Sequence, residues 1–503
     1  MAEAKEEGSF LRKAGPLVLA RMAGAGITFA IPLVLARAMA LEEYGTYKQL
    51  FLIAQTLYYI LPFGVAQSLY FFLPRAEQSR PWVLQTISAL LLMGFAGAGL
   101  LLGFGHHGAA LLGNPELLRY SVPLAIYVAC VVGSMPLEIM LTCQGRTKAA
   151  AVMYLGSDAL RAAAMMVPVF LGFGLEGSMI AMAGFAAVRL VAVWVMGLAT
   201  TQGPVLQRGL FLRQLLYAAP FGAAMLLSIP QQYAHQYAVG AAVPPELFAI
   251  YAVGCFQLPL VDLLYSPTSE VLMVRVGELD RQGRLREAVG AFREASSKLA
   301  YAFLPMAAFL FVAAPEFIGA MFGEKFLPAV PYFRVSVMAI ALACFPVDGL
   351  LRARNETRYL FFSYLVKASV TVPLVWVGVK RFGMMGGIVS WALAELVGKL
   401  TLMSRVPKAL GFTEGNVFVR FAQVLPVREL GRPLVAAVGA GLLVAGLRAA
   451  LPALGAAVPP GFIWRVLPLA IGGALFAAGY LAFLRAAGVR PFAVLASLRR
   501  RPA

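Results

Sequence analysis

The sequence predicts an all-α polytopic membrane protein. It should have about fourteen transmembrane helices, arranged as two six-helix lobes related by a pseudo-two-fold repeat, with two C-terminal helices added. Three observations predict this. Hydrophobic residues make up 60% of the 503 residues and charged ones 13%, giving a mean hydropathy of +0.79, against about 45–50% and 25% in soluble domains. Apolar runs near 20 residues recur along the whole chain, long enough to cross about 30 Å of hydrocarbon. Landmarks of the first half also return in the second at a nearly fixed offset.

The first two spans, roughly 15–38 and 47–73, are joined by the polar hinge Ala40-Leu-Glu-Glu-Tyr-Gly-Thr-Tyr47. On a helix Arg21, Ala25, Thr28 and Pro32 share one face of the first span. The second is crowded with Gln55, Tyr58, Tyr59 and Gln67. Spans three to six fall at roughly 82–104, 120–143, 149–172 and 177–199. An outer loop containing His106 and His107 follows the third. The fifth carries Asp158 and Arg161 at i, i+3, where they can neutralise one another, and the sixth holds Arg189 with no acid within four residues. The linker Thr200–Arg213 separates the halves.

Spans seven and eight, roughly 214–240 and 247–268, bring Gln231, His235 and Asp262 into the membrane. The charged segment Met273–Lys298 follows, and its Arg284–Arg293 portion reads as an amphipathic helix in the cytoplasmic headgroup layer. Spans nine to twelve fall at roughly 299–314, 333–351, 360–379 and 385–404. Lys367 lies in the eleventh, while Glu395 and Lys399 form an i, i+4 pair in the twelfth. Two plain spans, roughly 433–449 and 466–485, precede the basic tail Ala493–Arg501. The expected domains are residues 1–205, 206–410 and 411–503.

The net charge of +18 marks orientation. Of the 42 Lys and Arg, about 28 fall on one set of alternate loops plus both termini, and about 9 on the other. Both termini are therefore expected in the cytoplasm, with anionic membrane lipids rather than nucleic acid as the partner of this charge. Two adjacent histidines and the scattered Cys130, Cys143, Cys255 and Cys344 lack metal-ligand or disulfide spacing. No metal and no cofactor is expected.

Glu42, Tyr44 and Tyr47 fall on Glu246, Phe248 and Tyr251 at an offset of 204. Pro136, Glu138, Thr147, Lys148, Tyr154 and Arg189 fall on Pro346, Asp348, Thr357, Arg358, Tyr364 and Lys399 at an offset of 210. An even number of spans per unit leaves both repeats in the same orientation, related by an axis along the membrane normal.

Two stretches, Leu33-Val-Leu-Ala-Arg-Ala-Met-Ala-Leu-Glu-Glu-Tyr-Gly-Thr-Tyr47 and Phe322-Gly-Glu-Lys-Phe-Leu-Pro-Ala-Val-Pro-Tyr-Phe-Arg-Val335, resemble the multidrug/oligosaccharidyl-lipid/polysaccharide exporter superfamily. The resemblance is to its polysaccharide-transporter branch of O-antigen flippases. It covers roughly residues 10 to 405 and implies two six-helix lobes, alternating access, and cargo on an isoprenoid pyrophosphate carrier. The expected function is translocation of undecaprenyl-pyrophosphate-linked oligosaccharide or lipopolysaccharide precursors across the bacterial cytoplasmic membrane. The alternative is a cation-coupled multidrug antiporter on the same fold. An enzyme is not expected, because the one long loop lacks an acid/base pair or nucleophile constellation. The expected partners are the lipid-linked substrate, membrane lipids and a glycan polymerase or ligase, with the chain itself a monomer.

A charge at the centre of a span costs about 2.5–3.5 kcal/mol on insertion scales, so intramembrane charges are functional candidates. Arg21 and Arg189 lead, because nothing nearby in sequence neutralises them and arginine can grip phosphate oxygens bidentately. Lys367, Arg161, Gln231 and His235 complete the expected lining of a central substrate cavity. Asp158 and Asp262 are the candidates for ion coupling.

Overall fold

The computed structural model describes residues 2–412, 414, 416–450 and 462–489. The basic tail 493–501 lies outside them. Among the described residues the secondary structure is helical, without strands. Eleven helices are long and apolar enough to cross a membrane, and two bent pairs, Leu41–Ile60 with Val65–Arg75 and Pro245–Gly254 with Pro259–Arg281, make one further span each.

The helix Thr357–Ala409 is 53 residues long, roughly 80 Å at 1.5 Å per residue and far beyond one bilayer. Its break is Gly383, at φ 59° and ψ −145°, a region open almost only to glycine. The two halves turn back on each other. Lys367 bonds Glu395 at 2.6 Å, and the Tyr359 hydroxyl donates to the Thr401 carbonyl at 3.0 Å. Gly378 and Gly386 approach too closely for either to carry a side chain. These contacts share nearly one midpoint in the sequence, as an antiparallel hairpin requires. Counting its halves as the eleventh and twelfth spans brings the described spans to fourteen.

The chain divides into two compact units, Met1–Ala249 and Ile250–Ala503. In the first, the first span packs on the fifth, the third on the fourth, and the sixth on both the fourth and fifth. The seventh span, Leu210–Gly240, packs on the second and belongs to this unit. The hinge motif is its structural lock. Tyr44 and Tyr47 are buried, and the Glu43 carboxylate accepts the Leu175 N–H at 2.7 Å, filling one of the unsatisfied donors at the start of the sixth span. Asn114 ties down the loop after the third span, donating to Gln49 at 2.7 Å and Thr46 at 3.0 Å.

In the second unit the motif around Phe322–Val335 supplies an aromatic wedge. Phe322, Phe326 and Phe333 are fully buried, and Phe333 stacks on Phe317 with centroids 5.1 Å apart. The thirteenth span lies on the ninth and the fourteenth on the thirteenth. Ala436, Ala437 and Ala440 let them approach Tyr301, Leu304 and Phe309. Arg448 fastens this join, forming an ion pair with Glu316 at 2.8 Å and donating to the Val312 carbonyl at 2.7 Å.

The repeat is visible in the elements. The second and eighth spans break alike, bent by 40° and 42°, and their helices begin at Leu41 and Pro245, at an offset of 204. Helices also begin at Thr147 and Thr357, at an offset of 210.

Three local expectations are corrected. Met273–Lys298, expected as one long charged loop, is helical at both ends, within Pro259–Arg281 and Ala288–Val312. The Arg284–Arg293 stretch is no separate surface helix. After a short 3₁₀ turn at Leu285–Glu287 it forms the start of the ninth span, Ala288–Val312. There Ala288, Val289, Ala291 and Phe292 are buried in a core with Leu272, Val347 and Val406, so its apolar face has a protein partner. His106 and His107 lie within the helix Ser79–Leu111, not in a loop.

Candidate functional site

Polar residues cluster around a cavity of about 590 Å³ inside the first unit, bounded by the first, second, fourth, fifth and sixth spans. Helical periodicity sets up one wall. Arg21 and Thr28 are seven residues apart on the first span, as are Tyr154 and Arg161 on the fifth, so each pair lies on one face. The two faces meet in parallel. Arg21 Nη2 donates to the Tyr154 hydroxyl at 3.1 Å, and Arg161 Nη2 to Thr28 Oγ1 at 2.6 Å. The second span contributes Gln55, Tyr58, Tyr59, Gln67 and Tyr70. Its crowding with polar groups is thereby explained, since they face a cavity rather than lipid.

Arg161 bonds Asp158 at 2.8 Å, the i, i+3 pair the sequence predicts. Arg189 differs from its sequence expectation. Its neutralising acid comes from another helix: Nη2 bonds Glu138 Oε2 at 2.6 Å, while Nε donates to Ser134 Oγ at 3.1 Å. Ser157 adds a 3.4 Å hydrogen bond to the other Glu138 oxygen. Glu138 is buried, and in such a pair the loss of one partner costs about 3–5 kcal/mol because the other charge is left uncompensated. The four charged side chains lining the cavity, Glu138, Asp158, Arg161 and Arg189, therefore balance.

Arg21 is the exception. Contrary to the sequence expectation, it does not itself line this cavity; it is exposed, it donates to the neutral Tyr154 phenol, and its guanidinium lies 4.9 Å from the centre of the Tyr154 ring. Among the described residues no carboxylate forms an ion pair with it.

A smaller cavity of about 330 Å³ lies in the second unit, lined among others by Asp262, Tyr265, Glu395 and Lys399. The predicted Lys399–Glu395 pair is replaced by another arrangement. Glu395 bonds Lys367 across the hairpin, whereas Lys399 donates to the Phe345 carbonyl at 2.8 Å and lies over the Tyr265 ring. The Tyr265 hydroxyl in turn bonds Asp348. Lys399 and Asp348 are the repeat counterparts of Arg189 and Glu138, so both units place an acid and a cation in one cluster, directly bonded in the first and bridged by a tyrosine in the second.

Gln231 and His235 are buried in the seventh span and line neither of these cavities; Gln231 donates to the Leu227 carbonyl of its own helix at 2.8 Å. Sequence reasoning missed Glu138 as the partner of Arg189, and the tyrosines 70, 127 and 154 as lining. The signal for the first was present. Glu138 and Arg189 return together as Asp348 and Lys399, an acid kept with a cation.

The profile of the family described as polysaccharide biosynthesis protein matches residues 34–331, more than half of the chain and most of both motifs. The chain belongs to that family. No curated protein matches it in sequence. Among solved structures it is similar to the lipid II flippase MurJ in an inward closed conformation, with a TM-score of 0.68 and 12% identity, covering 94% of this chain and 99% of that one. It is similar also to an inward-facing multidrug resistance MATE family transporter of the MOP superfamily (TM-score 0.60, 14% identity, 77% and 96% covered). A third is a MOP superfamily transporter from Pyrococcus furiosus (0.54, 12%, 80% and 96%). At these identities the likeness establishes a shared fold.

Proposed function

We propose that the protein is a flippase that moves lipid-linked oligosaccharide, carried on undecaprenyl pyrophosphate, across the bacterial cytoplasmic membrane by alternating access of two six-helix lobes. The observation that carries this reading is Arg21, a cation within the first span that forms no ion pair among the described residues and donates to Tyr154, which lines the polar cavity, in a chain of the polysaccharide biosynthesis family. Desolvating an unpaired pyrophosphate is prohibitive in hydrocarbon, and a guanidinium beside a hydrated cavity offsets that cost while the isoprenoid stays in lipid. The lysine and arginine bias supports a cytoplasmic location for both termini. A glycan polymerase or ligase is the expected consumer of the product, and O-antigen or other lipopolysaccharide precursors are the expected cargo.

The multidrug antiporter reading draws on the MATE-like fold and on Asp262, which faces the cavity of the second unit and would serve a coupling ion. The family match favours the flippase. Glycolipid profiling of a deletion strain tests the choice. The flippase reading expects loss of surface glycan and a lipid-linked oligosaccharide stranded on the inner leaflet. Normal surface glycan together with drug sensitivity would overturn it in favour of the antiporter.

A further inference from the structure

We infer that the cavity of the first unit receives the uncharged sugar rings of the cargo, leaving the pyrophosphate to Arg21 at its edge. This rests on the lipid-linked oligosaccharide reading above and adds which part of the cargo goes where. The first reason is charge. Both arginines lining the cavity already hold carboxylates, at 2.6 and 2.8 Å. An anion taking Arg189 would have to evict Glu138, which is 3% exposed and would be stranded without its cation. A polyol makes no such demand. Carboxylates and guanidinium groups engaged with each other retain lone pairs and N–H groups for hydroxyls, and Gln55 and Gln67 add amide donors and acceptors.

The second reason is shape. Tyr58 and Tyr59 are 37% and 40% exposed, and their rings stand nearly perpendicular, at 80° with centroids 5.7 Å apart. Two apolar faces at an angle suit the C–H faces of adjoining sugar rings, while the phenol oxygens reach hydroxyls. The volume of about 590 Å³ lies in the range of about 300–1,000 Å³ typical of small-molecule sites. The third reason is position. Tyr154 lines the cavity and also accepts the hydrogen bond from Arg21, so the unneutralised cation and the sugar chamber are one side chain apart.

The test measures binding of undecaprenyl pyrophosphate, bare and carrying a neutral trisaccharide, to the full-length protein in nanodiscs. Wild-type protein is expected to prefer the glycosylated lipid at least 10-fold. Tyr58→Ala with Tyr59→Ala should reduce the preference to about 1 while bare-lipid binding persists; Tyr58→Phe with Tyr59→Phe, which keeps the packing, should retain part of it. Arg21→Gln should weaken both lipids by the same factor. Equal wild-type affinity for the two lipids, or tyrosine variants that weaken both alike, would overturn the inference while leaving the flippase reading standing. Binding of neither lipid would sink the flippase reading itself, and the inference with it.

Discussion

Arg189 and Glu138, 51 residues apart in sequence, form a 2.6 Å ion pair at the wall of the first-unit cavity. The pair turns what the sequence presents as a lone intramembrane cation into half of a neutral unit. A consequence follows for stability. Arg189→Ala should lower the melting temperature of the detergent-purified protein and its level in the membrane, since it strands a buried carboxylate at about 3–5 kcal/mol. The double variant Arg189→Leu with Glu138→Leu should recover most of that loss. A double-mutant cycle by thermal melts checks both, and additive losses would contradict the pairing.

Arg21→Ala should behave differently. Its partner is the neutral Tyr154 hydroxyl and it is exposed, so removal should leave membrane levels unchanged, within about 0.5 kcal/mol of stability. Surface glycan should be lost all the same, as read by glycan staining alongside an immunoblot.

Gly24 admits the Asp158 carboxylate. A Cβ there would lie 2.2 Å from Asp158 Oδ2, so Gly24→Val should force Asp158 aside and loosen its 2.8 Å bond to Arg161. The expected result is destabilisation of about 1–3 kcal/mol, as for other overpacked sites, read as a lowered melting temperature. Gly26→Val, on a site open to space, is the control and should change little.

The hairpin at Gly383 predicts a charge-swap rescue. Lys367→Glu or Glu395→Lys alone places like charges where a 2.6 Å bond now stands and should depress expression. The two together should restore it. Cross-linking of Lys367→Cys with Glu395→Cys by a bifunctional thiol reagent long enough to replace the two side chains reads the same proximity independently, and failure to cross-link would contradict the fold-back.

Much of this architecture is legible in sequence because hydrophobic length and period report on the bilayer directly. The repeat is legible too, since Glu42, Pro136 and Thr147 mark helix starts and breaks that recur further along the chain, at Glu246, Pro346 and Thr357. The Asp158–Arg161 pair could be read because its partners lie within one turn. The Arg189–Glu138 and Lys367–Glu395 pairs could not be read by local spacing, because packing of separate helices decides them. For the same reason Lys399 does not keep Glu395: the hairpin brings Lys367 within reach of that carboxylate, and Lys399 finds the Phe345 carbonyl instead. The Arg284–Arg293 stretch misled through its amphipathicity, which serves a protein groove as well as a membrane surface.

If Arg21 carries an anionic headgroup across the membrane, leaflet-resolved measurement of lipid-linked oligosaccharide in cells will register its loss. With Arg21→Ala protein inserted at normal levels, the account predicts that the glycolipid remains on the inner leaflet. A wild-type distribution between leaflets in that strain would contradict it.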